Sequence, residues 1–238
     1  MNVTVFSASD LNCPPASPGP DTLALWLLPV SDSGLAGLDF RHLSDREQER
    51  CARISRPEER QRYQVAHAAL RRILSAYLGC SPQDLVFSAN QYGKPYLSYP
   101  LDPGAGQLHF SLSHSGGYVA LAFSSVSPVG VDIERDRPSI KPQELAERFF
   151  HPQEARRLSA LPPQEQRTGF LKLWTLREAF LKGLGTGFYT ASDSFAICPD
   201  RLPGVFCVRE GAPEYSSWEL LSLDAPEGYF LSMAYQRS

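Results

Sequence analysis

Several classes of protein are excluded by what this sequence does not contain. No run of residues approaches the roughly 20 consecutive apolar positions that a membrane-spanning helix needs. The first residues show no basic stretch followed by an apolar run of the signal-peptide kind. There is no basic excess either: 23 Lys and Arg stand against 26 Asp and Glu, and a net charge of −3 argues against a dedicated nucleic-acid binder. The five cysteines, at 13, 51, 80, 198 and 207, have no paired short spacing. Such a scattered, odd set suits a reduced chain better than a disulfide framework or a zinc site. No G-x-S-x-G elbow is present, so an α/β-hydrolase nucleophile is not signalled. The expectation is a cytoplasmic protein that binds neither membrane nor nucleic acid.

The 238 residues suffice for one large domain or two small ones. Residues 1–20 are rich in Pro, Ser and Ala and read as a poorly ordered segment. Thr22–Val30 is a short apolar run, expected as a buried strand. Ser44 and Glu47 have the spacing of a capping box ahead of a helix over Leu43–Ile54. Pro57 opens a longer helix with Val65, Ala69, Ile73 and Tyr77 on one face, closed by Gly79. Strands follow at Leu85–Ser88 and at Leu108–Ser113, which the turn His114–Gly117 joins to Tyr118–Phe123. Val129–Glu134 is a further strand. The pattern then repeats, with helices near Glu144–Phe150, Glu154–Leu161 and Gln164–Leu184. Strands over Ser194–Ile197, Val205–Val208, Ser217–Leu223 and Tyr229–Ala234 complete it. Helices followed by antiparallel strands, twice over, predict an α+β pseudo-dimer of two similar halves, 21–126 and 127–238.

Five groups of residues are candidates for chemistry. Asp132 and Glu134 are two apart on a strand, so both carboxylates share a face, while Val131 and Ile133 point into a core. Two hard oxygen donors on a rigid strand suit Mg²⁺, which binds one or two carboxylates plus substrate phosphates. Taken singly, a D-x-E pair is more often a solvated strand face. Glu178 and Lys182 lie one helical turn apart, beside a stripe of Leu173, Leu176, Phe180 and Leu184. They read either as an exposed i,i+4 ion pair or as a metal ligand and a phosphate-binding ammonium. Phe110–Gly117 (FSLSHSGG) places Ser113 and His114 at a polar turn that backbone and phosphate can approach. A Ser/His nucleophile pair is the rival reading, and adjacent strand residues pointing to opposite faces speak against it. From Arg41 to Arg72 there are nine arginines, no lysine and five acids. Arg46, Arg50 and Arg53 form one basic stripe there, suited to phosphates, to an acidic protein partner, or simply to a solvated helix face. Gln91–Pro95 is a tight turn that presents Lys94.

In order and spacing, these motifs resemble the 4′-phosphopantetheinyl transferases of the larger, surfactin-synthetase-activating type. The matching segments are Gly93–Pro95, Phe110–Ser115, Val129–Glu134, Arg148–Phe150 and Trp174–Lys182. The resemblance implies two pseudo-symmetric halves with coenzyme A bound in a cleft between them. Asp132, Glu134 and Glu178 match the family's Mg²⁺ ligands, with the cation on the pyrophosphate of coenzyme A. Lys182 and His114 match groups that contact those phosphates. Arg50, Arg62, Lys94 and Ser113 match positions that hold the 3′-phosphoadenosine end. Two residues depart from the pattern. Arg177 stands where W-x-x-K-E has lysine, which changes the hydrogen-bond geometry. Glu47 stands where some relatives place a basic residue, so the expectation is either a weakened hold on coenzyme A or compensation by Arg46.

The implied reaction transfers the 4′-phosphopantetheine arm of coenzyme A to a serine of an apo acyl or peptidyl carrier protein. Such carriers serve fatty-acid, polyketide and nonribosomal peptide synthesis. Adenosine 3′,5′-bisphosphate leaves, and Glu178, directly or through a water, or else Glu144 or Glu147, accepts the serine proton. A two-half chain of this length is expected to work as a monomer. The rivals are a magnesium-dependent phosphodiester or pyrophosphate hydrolase and a non-catalytic module that holds acidic carrier domains on the basic stripe.

Overall fold

The computed structural model describes residues 1–31, 37–99, 108–191, 193–199 and 204–237. Two compact units divide the chain, one comprising residues 1–90 and 95–126, the other 91–94 and 127–238. The architecture is α+β, with mainly antiparallel sheets and packed helices in both units. Among the described residues no helix is long and apolar enough to cross a membrane.

In the first unit, strands β1 (Asn2–Phe6), β2 (Thr22–Pro29), β5 (His109–Ser115) and β6 (Tyr118–Ser124) form one sheet in the order β1-β2-β6-β5. Helix α1 (Asp45–Arg53) begins where expected: Ser44 Oγ accepts from the Glu47 N–H and Glu47 Oε2 accepts from the Ser44 N–H, closing the capping box. Helix α2 (Pro57–Leu78) starts at its proline and stops at Gly79, whose φ of 64° is the left-handed cap that glycine adopts without strain. Its apolar face, with Val65, Ala69 and Ile73 fully buried, packs with Trp26, Leu28, Val119, Leu121 and Phe123 from the sheet. Strands β3 (Val86–Ala89) and β4 (Pro95–Tyr99) pair as a separate two-stranded ribbon.

Three expectations are corrected here. Residues 1–20 are not a poorly ordered segment: β1 pairs in parallel with β2, and Leu11 in the following short 3-10 turn is fully buried. The Pro and Ser content masked the Asn2–Phe6 strand and a single deep anchor. The turn placed at His114–Gly117 is shorter, because β5 continues to Ser115 and only Gly116-Gly117 separates it from β6. Two-residue hairpin turns favour positive φ, and Gly116 supplies it at 54°. Finally, Pro95, expected as the end of the Gln91–Pro95 turn, opens β4, because a partner strand rather than local sequence decides its state.

In the second unit, β7 (Val129–Arg135), β8 (Ala196–Pro199), β9 (Val205–Glu210), β10 (Trp218–Leu223) and β11 (Tyr229–Gln236) form an antiparallel sheet ordered β7-β11-β10-β9-β8. Helices α3 (Pro142–Phe149) and α4 (Pro152–Ser159) precede α5 (Pro163–Leu184), which lies against the sheet and ends at Gly185 in the left-handed conformation. The stripe of Leu173, Leu176, Phe180 and Leu184 packs as expected, with Phe195, Trp218 and Leu220.

Candidate active site

The site in the second unit is organised by two glycines. Gly130, Asp132 and Glu134 alternate on one face of β7, and the other parity, Val129, Val131 and Ile133, is fully buried. A Cβ at Gly130 would lie 1.9 Å from the Ala179 carbonyl oxygen and 2.5 Å from the Gly183 nitrogen of α5. The strand and helix backbones therefore touch, which only residues without side chains permit. Ala179 and Gly183 are that contact face of α5, and Glu178 and Lys182 stand one position before each.

The close approach brings opposite charges together. Lys182 Nζ donates to Asp132 Oδ1 at 2.7 Å, with Asp132 only 3% exposed. Burial pushes the Glu178 carboxyl above its usual range, and the Asp132 and Glu134 charges push it further, against the pull of Lys182 and Arg177. Three carboxylates from a strand and a helix thus act on one another through their charges. Among the described residues no three His, Cys, Asp or Glu side chains already stand as a coordination cage, and the Lys182 ammonium sits on Asp132. Ser232, opposite Asp132 in register on β11, hydrogen-bonds Thr175 of α5 at 2.8 Å in the buried layer beside it. Lys94 belongs to this unit. Its ammonium donates to the carbonyls of Gly183 at 2.8 Å and Val129 at 3.4 Å, and burial pulls its pKa down to about 8.

The first unit gathers a second set. Arg62 on α2 donates to the Gly116 carbonyl at 3.2 Å, which ties it to the turn that follows Ser113 and His114. Ser113 is buried at 6% exposure, whereas His114, on the opposite face of β5, is exposed. That opposition rules out the Ser/His nucleophile reading. Arg50 is placed by its guanidinium lying 5.7 Å from the Tyr63 ring centroid, and Tyr63 in turn packs on His67 at 4.1 Å. Arg46 and Arg53 are exposed beside it, Arg53 paired with Glu49.

Both departures from the family pattern have structural partners. Glu47 is buried, and burial drives its carboxyl upward. Hydrogen bonds from His67, Ser44 and Arg71 outweigh that and hold it at about 2. It locks α1 onto α2 rather than facing a ligand. Arg177 is 3% exposed and pairs with Glu154, which is 1% exposed, while its guanidinium lies 4.1 Å from the Phe195 ring centroid and 5.2 Å from that of Phe150. The two alternative proton acceptors, Glu144 and Glu147, are exposed on α3, and Glu144 is paired with Lys141 at 2.9 Å. The glycine contact and the Glu154–Arg177 pair were not singled out from the sequence. Gly130 in Val129-Gly130-Val131-Asp132 and Gly183 after Lys182 on α5 are the sequence signal for the former.

Comparison with known proteins identifies the family. Residues 128–234 match the family described as the 4′-phosphopantetheinyl transferase superfamily, and residues 36–126 match the family described as 4′-phosphopantetheinyl transferase, N-terminal. The chain belongs to the 4′-phosphopantetheinyl transferases. The transferase is 36% identical to 4′-phosphopantetheinyl transferase HetI of Nostoc over 86% of this chain and 84% of the relative. It is 34% identical to 4′-phosphopantetheinyl transferase Sfp of Bacillus subtilis over 65% of this chain and 66% of that one. A crystal structure of Thermotoga maritima holo-[acyl-carrier-protein] synthase aligns with a TM-score of 0.36 and 19% identity, over 47% of this chain and 63% of the other.

Proposed function

We propose that this transferase moves the 4′-phosphopantetheine arm of coenzyme A onto a serine hydroxyl of an apo carrier protein, with Mg²⁺, and releases adenosine 3′,5′-bisphosphate. The observation that carries the reading is the carboxylate group of Asp132, Glu134 and Glu178. The close approach of β7 to α5 at Gly130 supports it, with Lys182 donating to Asp132 and the Asp132 and Glu134 charges acting on Glu178. Its donors are all hard oxygens on two rigid elements, a chemistry that fits Mg²⁺ and does not favour a soft metal. Asp132, Glu134 and Glu178 would hold the cation, which when bound neutralises pyrophosphate charge and polarises the phosphorus under attack.

The chain's own groups do the rest. The carrier serine oxygen forms a bond to the phosphorus of the pantetheine phosphate, and the bond to the bisphosphoadenosine oxygen breaks. Glu178 takes the serine proton; a carboxyl whose proton affinity is raised by burial and like charges is suited to that task. Lys182 exchanges its Asp132 partner for phosphate oxygens and stabilises the charge gathering there. In the first unit, His114 is assigned to phosphate oxygens. Arg50, Arg62 and Ser113, with Lys94, are assigned to the 3′-phosphoadenosine end, since guanidinium groups suit phosphate bidentately.

Intact mass spectrometry of an apo carrier protein, incubated with the transferase, coenzyme A and Mg²⁺, tests the reading. The expected gain is about 340 Da, one phosphopantetheine arm on serine. It should vanish with EDTA and with Asp132→Ala. Cleavage of coenzyme A without any gain would replace transfer by hydrolysis. Neither change would leave a carrier-binding module.

A further inference from the structure

Two of the five cysteines, unremarkable in the sequence, meet in the fold. Cys198 on β8 and Cys207 on β9 are direct register partners in an antiparallel pair. Directly opposed residues project from the same face of a sheet, with Cα atoms about 4.5 or 5.5 Å apart, and both spacings fall within the range a disulfide bridges. The neighbouring pair Ile197 and Val208 is buried in the cluster under α5, so the cysteines occupy the other face. Among the described residues β8 is the outermost strand of its sheet, joined to β9, and its register is irregular between Ala196 and Ile197. An edge strand with a bulge has room to adjust as an S–S bond forms. The two sulfurs differ in access: Cys198 is 8% exposed and Arg157 Nη1 donates to its Sγ at 2.9 Å, whereas Cys207 is half-buried.

We infer that Cys198 and Cys207 are a dithiol that closes reversibly into a cross-strand disulfide, with low-molecular-weight disulfides of the glutathione class as oxidant. The more accessible Cys207 sulfur attacks one sulfur of the small disulfide, breaks its S–S bond and releases one small thiol. Cys198 then attacks the Cys207 sulfur of the mixed disulfide, forms the Cys198–Cys207 bond and releases the second thiol. Two protons and two electrons pass from the protein thiols to the two small thiols, so the exchange balances. Phe206 and Val208, on either side of Cys207, pack in the same apolar cluster as Leu176 and Phe180 of α5. The bond therefore fastens the strand on which the Glu178- and Lys182-bearing helix rests. The remaining thiols, Cys13, Cys51 and Cys80, lie in the first unit.

The test uses the full chain in a Cys13→Ser background, which removes the exposed thiol, treated with oxidised glutathione. Trypsin cuts after Lys182, Arg201 and Arg209, and the Arg201 cut falls between the two cysteines. The expected product is peptide Gly183–Arg201 joined to Leu202–Arg209, separable by dithiothreitol. Closing a ten-residue ring in compatible geometry should also raise the thermal midpoint by about 5 °C over the reduced protein. In Cys198→Ser the linked peptide should be absent and Cys207 should carry a glutathione adduct. Persistent glutathione on Cys207 of the protein that retains Cys198, or closure that lowers the midpoint, would overturn the inference.

Discussion

Replacing Arg177 by Leu tests whether the departure from the family's lysine is structural. The perturbation removes a buried cation and leaves the Glu154 carboxylate, 1% exposed, with two backbone donors, the His151 N–H at 3.0 Å and the Ile197 N–H at 2.7 Å. Breaking a buried ion pair from one side costs about 3–5 kcal/mol, because the remaining charge has been taken out of water and lost its counter-ion. The guanidinium also lies over Phe195 and Phe150, contacts worth about 1 kcal/mol between them once desolvated. About 4–6 kcal/mol in total is a large fraction of the 5–15 kcal/mol typical of a domain. Urea unfolding followed at Trp174 and Trp218, both in the second unit, should show it, with Trp26 reporting separately on the first.

The sign of the pH dependence gives a second, independent readout. Burial pushes the Glu154 carboxyl up and Arg177 holds it down. Without Arg177 it rises further, so the native state then binds a proton more tightly than the unfolded state. Stability of Arg177→Leu should therefore fall as pH rises past the ordinary carboxylate range, and the deficit should shrink on acidification. Glu154→Gln with Arg177→Leu should cost less than the sum of the single changes, by about 2 kcal/mol. Arg177→Lys should cost about 1–2 kcal/mol, keeping the charge but losing the planar fork and its stacking. A loss under about 1 kcal/mol for Arg177→Leu at neutral pH, or strict additivity in the double variant, would refute the reasoning.

Gly130→Ala should destabilise the second unit by about 3 kcal/mol or more, since the new methyl meets backbone on α5 that cannot step aside; a thermal melt near that of the parent would show that β7 and α5 are farther apart than described. Glu47 is held at about 2 against its usual 4.5, so its contribution is present above pH 4.5 and lost as pH falls toward 2. Glu47→Gln should be less stable at neutral pH and flat through that acid window in a pH-resolved urea series. Lys94, drawn down to about 8, gives up its proton earlier in the native than in the unfolded state, so stability should rise between pH 8 and 10.5. Acylation of its amine, followed by peptide mapping, should titrate with a midpoint near 8 rather than above 10.

The legible parts of this fold were those with a local cause. The α1 capping box, the Pro57 start and Gly79 stop of α2, and the two-residue alternation of β7 are each fixed by neighbouring residues. All appear in the structure as the sequence implied. What failed was non-local. Asn2–Phe6 becomes a strand because β2 offers it an edge, and Pro95–Tyr99 because β3 does. Cys198 and Cys207 become neighbours only through the register of β8 with β9. In the candidate site, the shared face of Asp132 and Glu134 followed from strand geometry alone. That Lys182 would meet Asp132 depended on a glycine contact whose meaning no single motif carries.

Burial alone does not separate working charges from structural ones in this protein; the partners do. Glu47 is satisfied by Ser44, His67 and Arg71, and Glu154 by Arg177 and two backbone N–H groups, so each has a full set of donors and joins elements that must not move. Their charges are balanced where they stand, and a ligand would have nothing to offer them. Glu178 is different: it is pushed up by burial and by two carboxylates on the facing strand, an arrangement that costs stability unless a proton or cation relieves it. Lys182 gives part of that relief through Asp132, from a side chain 32% exposed and able to turn toward an incoming phosphate. The fold thus uses Glu47 and Glu154 to hold helices in place, while on β7 and α5 burial and the Asp132 and Glu134 charges raise Glu178 against the pull of Lys182 and Arg177, where the proposed transfer needs it.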